Sequence, residues 1–265
     1  MTDNDGSRTH RALFISDVHL GTRGCQAERL LDFLREYDAE TVYLVGDIVD
    51  GWALKSGWYW PQAHNDVVQK LLRKARKGAR IIYVPGNHDE VLRDFYGTHF
   101  GGIDVVKNAI HEGADGRRYL VTHGDQFDLI VQNARWLALL GDKAYDFAIA
   151  VNLLFNGVRR RFGFPYWSLS KWAKLKVKNA VNYIGAFEKT LAAEAERYKA
   201  DGVICGHIHH AAIHEDFGVR YLNCGDWVES CTAIIEHFDG RFEIVTWTDI
   251  LSEQPPAAIA TSRAA

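Results

Sequence analysis

Three apolar runs, each closing on glycine and on acidic or imidazole side chains, limit this chain's fold more than any other feature: ALFISDVHLG, TVYLVGDIVDG and RIIYVPGNHDE. Aliphatic and β-branched residues follow one another in them with little polar alternation, as in strands buried on both faces. After the first run, 26–37 shows helical spacing (Leu30, Leu31, Phe33, Leu34), and a second helix is predicted over about 64–77. Three strand-then-helix units predict an α/β fold layered around a buried sheet. The later runs RYLVTHGD, GVICGHIHH, GVRYLNCGD, TAIIEHF and RFEIVTW predict a more sheet-rich half. Residues 1–10 are polar and 253–265 are rich in Ala and Pro, so both ends are expected to be frayed around a domain over 11–252.

One segment breaks the rhythm. Over about 127–199 there is helical periodicity and no strand signal, with a break at GFPY, and this reads as a helical cap inserted into the catalytic fold. Between Asp146 and Glu188 there is no acidic residue but seven basic ones: Arg159, Arg160, Arg161, Lys171, Lys174, Lys176 and Lys178. Aromatics including Phe155, Phe164, Trp167 and Trp172 are interleaved with them. Long basic side chains can simply cover a solvated face. The excess of one sign together with apolar bulk instead favours a cap that receives acyl chains and meets an anionic membrane surface. Arg159, Arg160, Arg161, Trp167 and Lys171 are the candidate substrate contacts.

Composition narrows the class. With 47% hydrophobic and 25% charged residues the chain is ordinary globular protein, and a net charge of -3 argues against a general nucleic-acid partner. No apolar stretch reaches membrane-spanning length and no signal peptide precedes the first strand, so a cytoplasmic location, peripheral to the inner face of the membrane, is expected. The cysteines (Cys25, Cys205, Cys224, Cys231) lack CxxC spacing and read as free thiols.

Twelve histidines against one methionine is the unusual figure. His19, His88, His123, His207 and His209 fall at the ends of apolar runs, beside Asp17, Asp47, Asn87 and Asp89 and next to glycine. Ligands gather beyond the carboxyl ends of strands in open α/β sheets. Strand alternation is expected to send Asp17 and His19 to one side. A mixed nitrogen and oxygen donor set suits Mn²⁺, Fe²⁺, Zn²⁺ or Co²⁺ rather than a thiolate-bound zinc. Two such ions sharing a carboxylate can lower the pKa of a water and neutralise phosphoryl oxygens. His10, His64, His99, His111 and His237 lie away from these ends and read as surface or core residues. Trp227, in GDWVES, could line the mouth of the site or cap the sheet.

The series DVH, GDIVD, GNHD, THGD and GHIH, in this order, resembles the calcineurin-like metallophosphoesterase superfamily, and the SDVHLG and CQAERLLDFL stretches are similar to its UDP-2,3-diacylglucosamine hydrolase group. The resemblance implies a four-layer αββα sandwich with a helical cap. It implies two divalent metals, with Mn²⁺ the first choice: Asp17, His19 and His209 would hold one, Asn87, His123 and His207 the other, and Asp47 would bridge them. His88 would stabilise transition-state charge or protonate the leaving oxygen, oriented by Asp89, and a hydroxide between the metals would attack without a phosphoenzyme. Asp50 would brace the loop. The hydrolases of that group have GNRD at the third motif, whereas this chain has His88 in place of the arginine. The implied substrate is UDP-2,3-diacylglucosamine, cut to UMP and the acylated sugar phosphate. Another lipid or nucleotide phosphoester remains an alternative, as does a non-catalytic scaffold that binds membranes through the cap.

Overall fold

The computed structural model describes residues 8–127 and 169–247, with 169–182 described by backbone alone. Residues group into two compact units, one of 1–124 with 194–265 and one of 125–193. The first unit opens with β1 (Arg8–Ile15), α1 (Ala27–Glu36), β2 (Tyr37–Val45), α2 (Gly51–Ser56), α3 (Gln62–Arg76) and β3 (Arg80–Val84). β4 (His99–Phe100), β5 (Ile103–Val105), β6 (Ala109–Glu112) and β7 (Arg118–Val121) follow. After the second unit come β8 (Gly202–Cys205), β9 (Ala212–His214), β10 (Arg220–Asn223), β11 (Thr232–Glu236) and β12 (Phe242–Thr246).

The strands form two sheets. The larger has the order β12-β11-β1-β2-β3-β5-β4, and the smaller β6-β7-β8-β10-β9. β1, β2, β3 and β5 run parallel, which demands crossover connections, and α1 and α3 supply two of them. Alternation along each central strand then serves two cores. Leu13, Ile15, Val42, Leu44 and Ile81 face α1 and α3 and meet Leu30, Phe33, Leu34, Val67 and Leu71. Ala12, Phe14, Tyr43, Val45 and Ile82 face the second sheet and meet Tyr119, Val121, Ile204 and Leu222. Burial on both faces is the reason for the unbroken apolar runs, at about 1.5–3 kcal/mol per fully buried large side chain. The expected α/β sandwich is present.

Details differ from the sequence reading. The first strand begins at Arg8, so residues 8–10 are not frayed: Arg8, Thr9 and His10 pair with Tyr37, Asp38 and Ala39, and His10 stacks on Tyr37 with ring centroids 5.4 Å apart. Pairing with a partner strand outweighs a polar composition there. No long helix follows β3; a 3₁₀ turn (Glu90–Phe95) leads into β4 and β5 instead. Of the later runs, β8 and β10 join the smaller sheet, while β11 and β12 return to the larger one, a division the sequence reading did not address.

The second unit is described as a 3₁₀ turn (Asp125–Phe127) and the helix α4 (Leu169–Arg197), whose last residues belong to the first unit. Arg159, Arg160, Arg161, Trp167 and most of the expected cap lie outside the described residues, as do 1–7 and 248–265. Lys171 falls on the backbone of α4.

Candidate metal centre

β1 ends at Ile15, so strand alternation does not place Asp17 and His19; the backbone beyond it does. Five of the candidate ligands have positive φ: Asp17 (51°), His19 (54°), Asp47 (53°), His207 (73°) and His209 (53°). Such a conformation costs a non-glycine residue about 1–3 kcal/mol and persists only when its surroundings over-determine it. They do so here. Asp17 donates its N–H to Gly46 O at 3.0 Å, His19 to Asp47 O at 2.9 Å and Leu20 to Ile48 O at 2.9 Å, extending the β1–β2 ladder past the strands. Trp227 N–H reaches Asp17 O at 3.0 Å.

These turns bring the ends of both sheets together. Three groups place one donor atom from each member within 4.8 Å of the others: Asp17, His19 and His209; Asp47, His123 and His207; and His19, Asp47 and His88. Each of the two carboxylates spends one oxygen on a backbone N–H of another motif, Asp17 Oδ2 on His207 at 2.9 Å and Asp47 Oδ1 on His88 at 2.8 Å. The other oxygens face imidazole nitrogens, Asp17 Oδ1 lying 3.2 Å from His209 Nε2 and Asp47 Oδ2 lying 3.3 Å from His123 Nε2. Gly86 sits so close that a Cβ there would lie 2.7 Å from His123 Nε2 and nearer still to Asp47.

Two imidazoles are held in one tautomer. His123 Nδ1 lies 2.9 Å from Val45 O, which only accepts, so that nitrogen carries the proton and Nε2 keeps its lone pair. His19 Nδ1 lies 3.0 Å from Asp50 Oδ2, with the same consequence. Asp17 Oδ1, His19 Nε2 and Asn87 Oδ1 are buried and make no hydrogen bond among the described residues. An unsatisfied buried polar atom costs about 1–3 kcal/mol. Three of them beside two buried carboxylates form a donor set for a divalent cation, and the residues fit one.

The charges agree. Burial pushes the Asp17 carboxyl up, but its His209 contact and the neighbouring imidazoles outweigh that and hold it below the usual range. Burial also opposes ionisation of Asp47, and His123, His88 and His19 outweigh it. Burial lowers His88, yet Asp50 and Asp47 raise it above an ordinary histidine.

Two roles change from the sequence reading. Asp89 does not orient His88: its carboxylate takes Tyr83 OH, Gly86 N–H and Ile48 N–H (2.8 Å), clamping the loops after β2 and β3. The adjacent position in sequence places its side chain away from His88. The partner of His88 is Asp50, whose Oδ2 lies 2.9 Å from His88 Nδ1 while Oδ1 caps α2 through Ala53 N–H at 2.7 Å. Trp52, missed by the sequence reading, lies against His88 with centroids 4.2 Å apart and ring planes tilted by 41°, and donates Nε1–H to Glu90 at 3.1 Å. Its only sequence signal is its place just after GDIVDG. Trp227 is fully buried 5.1 Å from Phe33, so it belongs to the core and not to the site mouth. Cys25 is half-buried, with its thiol pushed up to about 12 by burial, and the four cysteines are free. Of the other histidines, His64 pairs with Gly21, His99 with Asp104 and His237 with Glu243.

Residues 10–211 match the family model for calcineurin-like phosphoesterases. The chain is 26% identical over 238 residues to the UDP-2,3-diacylglucosamine hydrolase of Neisseria gonorrhoeae, covering 84% of this chain and 92% of that protein. It is 25% identical over 215 residues to the enzyme of that name from Photorhabdus laumondii, covering 77% and 83%. A hypothetical protein from Pyrococcus horikoshii superposes with a TM-score of 0.48 at 9% identity, over 94% of this chain and 95% of that one. Since the family model spans the strand ends of both sheets and every motif gathered there, the chain belongs to the calcineurin-like phosphoesterases and is a phosphoester hydrolase.

Proposed function

We propose that this enzyme hydrolyses UDP-2,3-diacylglucosamine to UMP and the acylated sugar phosphate through a dinuclear metal centre. The observation that carries the metal reading is the set of buried donor atoms left without hydrogen bonds between two carboxylates held ionised. Asp17, His19 and His209 would hold one ion and Asn87, His123 and His207 the other. Asp47, a member of two of the three donor groups, would be shared. Bound divalent ions, Mn²⁺ first among them, would supply Lewis-acid activation of water and phosphate.

The chain's own groups do the rest. His88 presents its remaining ring nitrogen toward the reacting phosphate and donates a proton to the leaving oxygen. Asp50 favours the protonated imidazole, and Trp52 packs against the ring. The relatives named for UDP-2,3-diacylglucosamine support the substrate. The insertion over about 127–199, with Arg159, Arg160, Arg161, Trp167 and Lys171, would take the acyl chains and rest on the inner face of the membrane. Among the described residues no helix is long and apolar enough to cross it.

His88 supports a second reading, in which another nucleotide or lipid phosphoester is the substrate. The test is UMP release from UDP-2,3-diacylglucosamine by protein stripped of metal and reloaded with Mn²⁺. Metal-dependent release that needs the acyl chains is expected. Cleavage of a chromogenic diester without such release would select the second reading.

A further inference from the structure

The His88 ring is not fixed by its ion pair alone. Nδ1 lies 2.9 Å from Asp50 Oδ2 but without the alignment of a hydrogen bond. A contact of that kind sets a distance and leaves the ring free to turn. A proton donor cannot be left so loose, since a misplacement of about 1 Å can cost on the order of 10²-fold in rate.

Two rings supply the missing constraint. The indole of Trp52 lies against the imidazole with centroids 4.2 Å apart and planes tilted by 41°, and His19 meets it edge-on at 4.6 Å and 84°. The local chain explains why residue 52 arrives there. Asp50 caps α2 by accepting from Ala53 N–H at 2.7 Å, and Gly51 N–H donates to His88 O at 2.9 Å. A Cβ on residue 51 would lie 2.9 Å from that same carbonyl, so glycine lets the first turn of α2 close on the His88 loop. The next side chain is thereby brought to the ring. The indole is itself tied, because its Nε1–H donates to Glu90 Oε1 at 3.1 Å, two residues beyond His88. The brace is reciprocal: the loop after β2 supplies Asp50, Gly51 and Trp52, and the loop after β3 supplies His88 and Glu90. A tryptophan that only filled the core would be buried, whereas Trp52 is partly exposed and spends its one polar atom on an exposed carboxylate.

We infer that Trp52, held by Glu90, is a positioning residue that aims the remaining ring nitrogen of His88 at the leaving oxygen. The inference rests on the proton-donor role proposed for His88 above. Trp52 itself gives no proton to the reaction, so its loss should matter only where the leaving oxygen needs one.

The test compares two phosphodiesters of one alcohol, a 4-nitrophenyl ester and a phenyl ester, turned over by the Mn²⁺-loaded protein. 4-Nitrophenolate leaves almost unaided, whereas phenolate, the stronger base, needs the proton. Trp52→Ala is expected to lower kcat for the phenyl ester about tenfold or more and for the 4-nitrophenyl ester less than about threefold, with KM and metal content retained. Trp52→Phe, which keeps a ring against the imidazole, should recover most of the loss. Glu90→Leu should show a smaller loss of the same kind, recovered by Glu90→Gln, which keeps an acceptor. Equal slowing of both esters, or a raised KM with kcat unchanged, would overturn the inference, since either places the indole in the fold or in substrate binding. If Trp52→Ala does not fold, Glu90→Leu carries the same test with the indole in place. A crystal structure of either variant should show the His88 ring turned from its present plane, and an unmoved ring would also overturn the inference. The proton-donor role fails separately, and the inference with it, if His88→Ala slows both esters alike. A selective loss in His88→Ala with none in Trp52→Ala keeps that role and discards the inference.

Discussion

Two buried polar clusters lie in the same unit of this protein and are built on opposite terms. Between the sheets, Glu236 is fully buried, and every oxygen is used: Arg11 NH1 at 2.9 and 3.1 Å, His111 Nε2 at 2.8 Å and Ala114 N–H at 2.7 Å. Tyr43 OH completes it, 3.2 Å from His111 Nδ1. At the strand ends, Asp17, His19 and Asn87 each keep a buried atom without a hydrogen bond, and five residues are held at positive φ. The first cluster is finished by the chain itself, whereas the second is finished only by something the chain binds. Both clusters hold buried carboxylates, so incompleteness is what distinguishes the functional one.

Breaking each cluster should have opposite consequences. Asp47→Ala should abolish metal uptake and lower phosphodiester hydrolysis on the order of 10³-fold or more, read by elemental analysis and a chromogenic diester. Its urea midpoint without metal should fall little, because the change also relieves crowding of buried carboxylates; a large fall would make Asp47 a structural residue. Glu236→Ala should instead destabilise the fold by about 3 kcal/mol, since Arg11 and His111 lose their buried counter-charge, while metal content per folded molecule stays the same. His88→Ala should slow turnover about 10²-fold with metal retained. Asp50→Asn should weaken metal binding about tenfold through His19 and also shift the pH profile of turnover, whereas Asp89→Asn should move stability first.

The smallest effect sharpens the contrast by pH. Burial opposes ionisation of Glu236, but His111, the Ala114 amide and Arg11 outweigh it, so its folded pKa lies below the ordinary glutamate value of about 4.5. The stability it contributes is present above about pH 4.5 and is lost as pH falls through the folded value. Glu236→Gln should therefore flatten the acid limb of a urea-midpoint curve. An unchanged slope would mean that other carboxylates govern acid unfolding.

Much of the site was legible because its residues interrupt apolar strands. An Asp or His closing such a run beside glycine is conspicuous, and five runs of this kind gave the seven ligand candidates. The role of Asp50 was less so. Its carboxylate meets His19 and His88 only because the loops after β1, β2 and β3 are laced together by backbone hydrogen bonds. Asp89 misled for the same reason, since neighbouring positions on an irregular loop can face opposite ways. Trp52 and Glu90 carried no motif of their own, as their contact with each other and that of Trp52 with His88 arise only where the loops after β2 and β3 meet.

The sequence by itself determined the fold class, the two buried faces of the central strands and the chemical kind of the site. These follow from local pattern: apolar runs that only a doubly covered sheet can bury, and donor types at the strand ends. Tertiary structure alone decided which oxygen and nitrogen atoms point inward, which tautomers His19 and His123 adopt, and that Asp50 rather than Asp89 holds His88. Those outcomes depend on left-handed turns and on contacts between distant loops, and their energies arise only after the two sheets have packed together.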